Sequence, residues 1–423
     1  MAVGLGKSIV ERVAIVDGAR TPFVKAGTAF RDYSMQQLGA HVLTALIDKT
    51  NLDTKSIDEF IFGAVLLDPR TPNWAREILF AAGLPKSVYA HSVSNNCISG
   101  LIAITSVAER IALGRSGCGI AGGTESMSNP PLMFNSAASR KFLALQSVRS
   151  VSQKLKIATT FRPRDFLPSP PGVTEPSTGL TMGEHMEITA KELSISREAQ
   201  DKIALHSHLN AAKAAGEGLF KEAIAPLGGV EKDLLIRADT NIEKLQKLPP
   251  VFDRKSGKGS ITAGNSSPLT DGASAVLLMS ETRAKNESRE VLGWISDYEY
   301  AAIAPTEGLL MAPAVAVPKM LARNNLKLED FDLIEIHEAF GAQVEANILA
   351  WETGWRESAI GKLDRAKLNV LGSSIAIGHP FAATGGRIVH TLAAELKRRS
   401  LRRGLISICA AGAMAGAMIV ERD

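Results

Sequence analysis

A twelve-residue phrase occurs twice in this chain. Asn51-Leu-Asp-Thr-Lys-Ser-Ile-Asp-Glu-Phe-Ile-Phe62 is echoed by Asn325-Leu-Lys-Leu-Glu-Asp-Phe-Asp-Leu-Ile-Glu-Ile336 at a constant offset of 274 (325 − 51). Each copy follows a helix-like stretch, 35–48 or 313–323, and ends in an apolar, strand-like run. Two helix–strand units can resemble each other by chance, but the unbroken register favours a duplicated fold. The offset carries Cys97 to position 371, inside the glycine-rich turn Asn369-Val-Leu-Gly-Ser-Ser-Ile-Ala-Ile-Gly-His-Pro-Phe-Ala-Ala-Thr-Gly-Gly386 that holds His379. The eight remaining positions (379 − 371) are easily absorbed in the polar stretch 351–367. The loops of Cys97 and His379 are therefore equivalent loops of two halves. Halves that face each other would bring both to one cleft.

Strand-like runs at 12–17, 59–67, 118–122, 273–279, 333–336 and 405–410 alternate with helical stretches, which argues α/β layers. A chain of 423 residues can bury two or three cores. A region of different character, 129–250, lies between the halves and is rich in Ser, Pro and charge, with a helical piece at 196–217. The expected organisation is 1–128 and 251–286 as the first half, 129–250 as an inserted loop domain, and 287–423 as the second half. Within the insert, 139–164 carries Arg140, Lys141, Arg149, Lys154, Lys156, Arg162 and Arg164 without an acid, and Leu145, Val148, Val151 and Leu155 fall at helical spacing. That predicts one basic amphipathic helix, either a solvated helix packed on the body or one that docks on an anionic surface or ligand. The turn Leu167-Pro-Ser-Pro-Pro-Gly172 would break it.

A net charge of +4 implies no global pull toward nucleic acid. Cys97, Cys118 and Cys409 are too few and too scattered for a disulfide framework, and no metal-ligand spacing is present, so no metal is expected. Free thiols fit a reducing compartment. The first ten residues lack an apolar signal core, and no apolar run reaches the ~20 residues that span a bilayer. A cytoplasmic, bacterial-type enzyme is expected; a processed organellar chain would look the same.

Three segments carry chemistry. Cys97 sits in Asn95-Asn-Cys-Ile-Ser-Gly100, just before a buried helical stretch, where a helix N-terminus and a nearby imidazole would favour thiolate. His379 precedes Pro380 in its glycine turn, and Cys409 ends an apolar strand before Ala410-Ala-Gly-Ala-Met-Ala-Gly416. Taken singly, each has a bland reading as a packed core residue. Together they suggest thiol-based acyl chemistry. His337 follows the strand of the second copy and is either a cleft residue or a satisfied structural histidine. Cys118 lies inside an apolar strand and reads as structural.

With these residues in view the chain resembles the thiolases over almost its whole length. The likeness rests on Asn96-Cys97, Ala121-Gly-Gly-Thr-Glu-Ser-Met127, Thr262-Ala-Gly-Asn-Ser-Ser-Pro-Leu-Thr-Asp-Gly-Ala273, His337-Glu-Ala-Phe340, Gly378-His-Pro380 and Cys409-Ala-Ala-Gly412. His-Glu-Ala-Phe, where many thiolases have Asn-Glu-Ala-Phe, is similar to the β subunit of the fatty-acid-oxidising trifunctional enzyme. So are Arg20-Thr-Pro-Phe-Val-Lys-Ala-Gly-Thr28 and the basic helix followed by Phe166-Leu-Pro and Met182-Gly-Glu-His-Met186.

The resemblance implies a duplicated five-layer αβαβα architecture with an inserted loop domain. It implies thiolysis of 3-ketoacyl-CoA in fatty-acid β-oxidation, with Cys97 as nucleophile, His379 as its base and Cys409 as the acid–base for the carbanion. One oxyanion hole would use His379 and a water held by His337, the other the backbone N–H groups of Cys97 and Ala411. Ala263, Ser267 and Met182 would bind CoA, which is a substrate; no other cofactor is implied. A homodimer or homotetramer is expected. The basic helix would meet an enoyl-CoA hydratase/3-hydroxyacyl-CoA dehydrogenase partner or an anionic membrane. Ser373-Ser374 stands where the family usually has Gly-Gly or Gly-Ser, and Ala413 and Ala415 replace glycines after Cys409, so the backbone there must tolerate Cβ atoms.

Biosynthetic acetoacetyl-CoA thiolase is a rival reading, because the same groups run the condensation. Ketoacyl synthases share the fold but lack a second cysteine like Cys409. An inactive thiolase-like docking subunit would have no need of all three reactive groups.

Overall fold

The computed structural model describes residues 11–169, 172 and 174–423. The first half runs through β1 (Val13–Arg20), β2 (Val24–Lys25), α1 (Met35–Thr50), β3 (Glu59–Gly63), α2 (Trp74–Ala81), β4 (Tyr89–Val93), α3 (Ser99–Ala112) and β5 (Cys118–Glu125). An insert follows with β6 (Met133–Phe134), α4 (Ser136–Ser147), α5 (Val151–Ala158), β7 (Pro168–Ser169), α6 (Met182–Glu192), α7 (Arg197–Gly216) and α8 (Ile242–Gln246). The chain then returns through β8 (Thr270–Ser280) and α9 (Glu281–Asn286). It finishes with β9 (Gly293–Ala302), α10 (Pro313–Arg323), β10 (Leu333–Ile336), α11 (Gly341–Thr353), α12 (Ser374–Ile377), α13 (Ala383–Arg398), β11 (Arg403–Ala410) and β12 (Met414–Glu421).

The strand order shows the duplication directly. The sheet runs β10-β11-β12-β9-β1-β8-β5-β3-β4. From the centre outward, β1-β8-β5-β3 in one direction matches β9-β12-β11-β10 in the other. The pairings match too: β3·β5 and β10·β11 are parallel, while β5·β8 and β11·β12 are antiparallel. The halves join where Val13–Ile15 of β1 pairs antiparallel with Gly293–Ile295 of β9.

The period-two alternation of strand side chains sets the layers. Phe60 and Phe62 of β3, with Leu277 and Met279 of β8, bury against α1 and α2. Ile61, Val276 and Leu278 point the other way, onto α3 and α13. Ile406, Ile408, Met418 and Val420 approach those two helices from the second half. The opposite faces of the same strands, with Ile334, Leu405 and Ile419, pack on α10 and α11. Helices, sheet, helices, sheet, helices is the five-layer order. Each fully buried Leu, Ile or Val in these layers contributes roughly 1.5–3 kcal/mol.

The central helix pair fixes the geometry of the loops. A Cβ on Gly100 would overlap the carbonyl oxygen of Ala382, and one on Gly385 would come 2.5 Å from the Leu101 nitrogen. Backbones this close put the first turn of α3 against the first turn of α13. The loops entering those turns, 95–98 and 378–382, then lie side by side.

The basic segment differs from its sequence reading. It forms two helices, α4 and α5, separated at Val148, whose backbone is extended. Phe134, Phe142, Phe161 and Phe166 hold the pair together, with Phe142 4.8 Å from both Phe134 and Phe161, centroid to centroid. Lys141 is not free. It donates to Asp165, one residue beyond the acid-free window, at 2.6 Å and to the Thr160 carbonyl at 2.7 Å. Pro170 and Pro171 of the proline-rich turn, and the first ten residues, lie outside the described residues.

The β3 strand ends at Gly63, short of the expected 67, because the chain leaves the sheet to reach Glu125. Strands β4, β9 and β12 carry no simple pattern. The glycine–alanine run after Cys409 leads at Met414 into β12, which β11 and β9 pair on both sides. The charges of β9, Asp297 and Glu299, are taken up by Arg323 of α10.

If the helix crossing sets the fold, Gly100→Ala should lose about 3 kcal/mol or more, because backbone rather than a flexible tip must move. Gly216→Ala, at the open end of α7 with nothing within 4 Å, should gain about 0.5–1 kcal/mol. Denaturant unfolding of the two variants checks the contrast. Equal effects would mean that the crossing is not tight.

Candidate functional site

Each loop of the cleft is held in a conformation that its sequence explains. Asn96 adopts the left-handed backbone that asparagine tolerates (φ 49) and donates its side-chain amide to the Ala411 carbonyl at 3.0 Å. This bond ties the Cys97 loop to the Cys409 turn. Ser99 closes the loop from below, accepting from Asn95 N–H at 2.7 Å and donating to the Asn96 carbonyl at 2.7 Å. On the other side Gly378 has φ 113, and a Cβ there would press on Thr270 and Leu235 at 2.8–2.9 Å. Thr270 Oγ1 accepts the His379 N–H at 3.1 Å.

The two loops bring His379 Nε2 to 3.1 Å from Cys97 Sγ. His379 Nδ1 is held by the Thr384 hydroxyl at 2.6 Å, which aims Nε2 at the sulfur. The rings of His337 and His379 lie 4.0 Å apart, centroid to centroid. His337 is fully buried, and its Nε2 has no partner among the described residues. Cys409 is buried next to Cys97 and packs in a cluster with Phe340 and, partly buried, Met182. The N–H groups of Cys97 and Ala411 both face the Cys97 sulfur.

The structure thus brings Cys97, His379, His337, Cys409 and Ala411 together, with Met182 at the edge of the cluster. Ser267 donates its N–H to the Ala339 carbonyl at 2.9 Å and so stands beside the His337 loop. Ala263 is exposed, at the far end of the same turn. Cys118 is buried in β5, away from this cluster.

Several residues of the site carry no reactive signal of their own in the sequence. Glu125, fully buried at the end of β5, accepts the N–H groups of Val65 at 3.0 Å and Leu66 at 2.8 Å and pins that loop. Burial pushes its carboxyl up to about 7, against the pull of those N–H groups. Glu175 of the insert accepts the Gly412 N–H at 3.0 Å and holds the Cys409 turn from the opposite side. Arg387 of α13 is buried behind His337.

The departures from family glycines have simple geometry. Ser373 is extended (φ −140), Ser374 begins α12 and Ala415 lies in β12, so none of them needs glycine. Ala413, at φ 57, does sit in the left-handed region, at a cost of roughly 1–2 kcal/mol.

The electrostatics decide the resting protonation. Burial pushes the Cys97 thiol up to about 12, although the Ala411 and Cys97 N–H groups pull the other way. Burial, and then the charge of Arg387, press His379 down to about 3. Cys409 is lifted well above the usual thiol range, by burial first and by Cys97 second. The resting pair is therefore a neutral thiol against a neutral imidazole, not an ion pair. Such a pair transfers its proton as the sulfur attacks, and the two N–H groups favour the negative charge that develops.

The comparisons with known proteins agree with one another. The family model for the thiolase N-terminal domain matches residues 13–282, and that for the thiolase C-terminal domain matches 289–422. The 3-ketoacyl-CoA thiolase of Shewanella piezotolerans is 44% identical over 424 residues, 97% of each chain. The 3-ketoacyl-CoA thiolase of Pseudoalteromonas atlantica is 43% identical over 426 residues, 98% of this chain and 97% of its own. In three dimensions the chain matches Bacillus anthracis acetyl-CoA acetyltransferase with a TM-score of 0.84 at 32% identity, covering 98% of this chain and all of that one.

A raised thiol loses its proton only toward pH values near 12, and a lowered imidazole gains one only toward values near 3. Between about pH 5 and 8, where an ordinary imidazole titrates, both should stay neutral. The ultraviolet difference spectrum between wild type and Cys97→Ala should show no thiolate in that window. A Cys97-dependent thiolate band with a midpoint below pH 7 would show an ion pair instead.

Proposed function

The chain belongs to the thiolase family, and from that premise we propose that it is an acyltransferase that cleaves 3-ketoacyl-CoA with CoA, in fatty-acid β-oxidation. The observation that carries the reading is the 3.1 Å approach of His379 Nε2 to Cys97 Sγ, with a second thiol, Cys409, buried beside them. A nucleophile and its base suffice for acyl transfer. The additional thiol is what carbon–carbon cleavage requires, because a carbanion must be protonated.

Cys97 attacks the keto carbon while His379 accepts the thiol proton. The tetrahedral oxyanion collapses, the carbon–carbon bond breaks, and the electron pair leaves on the acetyl-CoA fragment as an enolate. Cys409 protonates that fragment and becomes a thiolate. CoA then gives its thiol proton to Cys409 and attacks the Cys97 thioester. Cys97 leaves and recovers its proton from His379. The Cys97 and Ala411 N–H groups serve the tetrahedral oxyanion, and His379 with a water on His337 serves the enolate. The insert, 129–250, would cover CoA, with Met182, Ala263 and Ser267 lining its approach. Condensation to acetoacetyl-CoA uses the same groups in reverse, so substrate supply sets the direction.

Two surfaces suit partners. The outer edge of β4 is unpaired among the described residues and offers a strand edge to a second copy. On α4 and α5, Leu143, Val151 and Leu155 are 63–72% exposed beside Arg140, Arg149, Lys154 and Lys156, all exposed. Apolar side chains flanked by free cations suit an anionic lipid surface, at about 1 kcal/mol for each cation. Among the described residues no helix is long and apolar enough to cross a membrane.

Replacing Cys409 with Ala should separate the half-reactions. Acyl transfer from a simple acyl-CoA to Cys97, read by mass spectrometry of the peptide thioester, should largely survive. Carbon–carbon cleavage should fall by ~10²-fold or more. Equal loss of both, or label on Cys409 or Cys118, would contradict the assignment.

Changing Arg140, Arg149, Lys154 and Lys156 together to Gln should abolish salt-sensitive co-sedimentation with anionic vesicles and leave thiolysis of short substrates unchanged. Binding of the wild type to a hydratase/dehydrogenase enzyme, and not to vesicles, would assign the surface to that partner instead.

A further inference from the structure

Behind His337 lies a chain of buried polar groups that the reaction above leaves unused. Ser374 Oγ is 2.7 Å from His337 Nδ1 and 3.0 Å from Arg387 Nη2. A guanidinium only donates, so it fills one lone pair of the hydroxyl. Among the described residues Ser374 Oγ has no third partner. If His337 Nδ1 carried the ring proton, it too would donate to Oγ, and the hydroxyl hydrogen would have nowhere to go. If the hydroxyl donates to Nδ1, both contacts of Ser374 Oγ are satisfied and the ring proton sits on Nε2.

Arg387 is held for this task. Its Nη2 also reaches Ser373 Oγ at 3.2 Å, and that hydroxyl in turn donates to the Ile336 carbonyl at 3.1 Å. The carboxyl of Glu335 of β10 lies 3.9 Å from Nη1, and burial pushes it up to about 8. Arg387 and Glu335 are each 2% exposed. The neutral state of His337 follows from its surroundings: burial, His379 and Arg387 all hold its pKa well below the usual range. Its Nε2 is the buried atom that lacks a partner, and the ring faces His379.

We propose that Ser374, backed by Arg387, is a positioning residue that locks His337 in the Nε2–H tautomer, so that a donor rather than a lone pair faces the enolate oxygen or the water that contacts it. The inference rests on the thiolase reading and deepens it. A buried lone pair aimed at developing negative charge would oppose the reaction, and a hydrogen bond at the far nitrogen is the usual means of fixing a ring tautomer.

The test is nitrogen-15 spectroscopy of histidine-labelled protein. The chain has eight histidines, and His337→Asn assigns the relevant signals. The wild type should show His337 protonated at Nε2 and accepting at Nδ1. In Ser374→Ala the ring should shift toward the Nδ1–H form. Its kcat for thiolysis should fall about 10- to 100-fold with KM little changed, and Ser374→Thr should restore both. An Nδ1–H ring in the wild type overturns the proposal, and that reading needs no variant to fold. A Ser374→Ala protein that loses activity with its tautomer unchanged overturns it too, marking the serine as structural. Absence of thiolysis by a wild type that holds the Nε2–H tautomer would count against the thiolase reading alone.

Discussion

At the crossing of α3 and α13 backbone touches backbone. Gly100 and Gly385 leave no room for a side chain, so the first turns of two helices from the two halves share one point. Everything chemical follows from that contact. The loop before α3 delivers Cys97 and the loop before α13 delivers His379, and their reactive atoms end 3.1 Å apart. The layers on either side, with Ile104 and Leu392 among the buried residues, clamp the pair. A fold whose halves join through a short strand pairing and a side-chain-free helix contact has little freedom to change this geometry.

The second constraint is dryness. The same burial that protects an enolate from water makes charge expensive in the resting state, and it lifts both thiols and depresses both imidazoles. The site waits with neutral groups and lets charge form only as substrate bonds rearrange. Fixed dipoles then matter more than ionised side chains: the N–H groups at Cys97 and Ala411 and the ring N–H of His337. Hydrogen bonds from separate parts of the chain keep those dipoles aimed. Asn96 and Glu175 hold the Cys409 turn, Thr384 holds His379, and Glu125 pins the neighbouring loop.

Much of this was legible in the sequence, for a physical reason. Duplication preserves register, so the repeat at Asn51 and Asn325 announced two halves, and the offset from Cys97 pointed into the turn of His379. Cysteine and histidine in glycine turns pointed to the groups that meet in the cleft. What the sequence hid is what depends on partners distant along the chain. Strand β12 opens with the small run Ala415-Gly-Ala417 and is drawn into the sheet by β9 and β11 on its two sides. The basic segment reads as one helix, but Asp165 and four phenylalanines fold it into two. Ser374 and Arg387 are ordinary residues until α12 and α13 bring them to His337. Glu125 gives no periodic signal, because its task is to bind loop backbone.

The central claim is that two equivalent loops converge to cleave a carbon–carbon bond. Thiolysis assayed with free CoA across 3-ketoacyl-CoA chain lengths tests it most directly. The account predicts CoA-dependent release of acetyl-CoA with at least one chain length, and none from Cys97→Ala. Folded wild-type protein that cleaves no 3-ketoacyl-CoA at any length would contradict it.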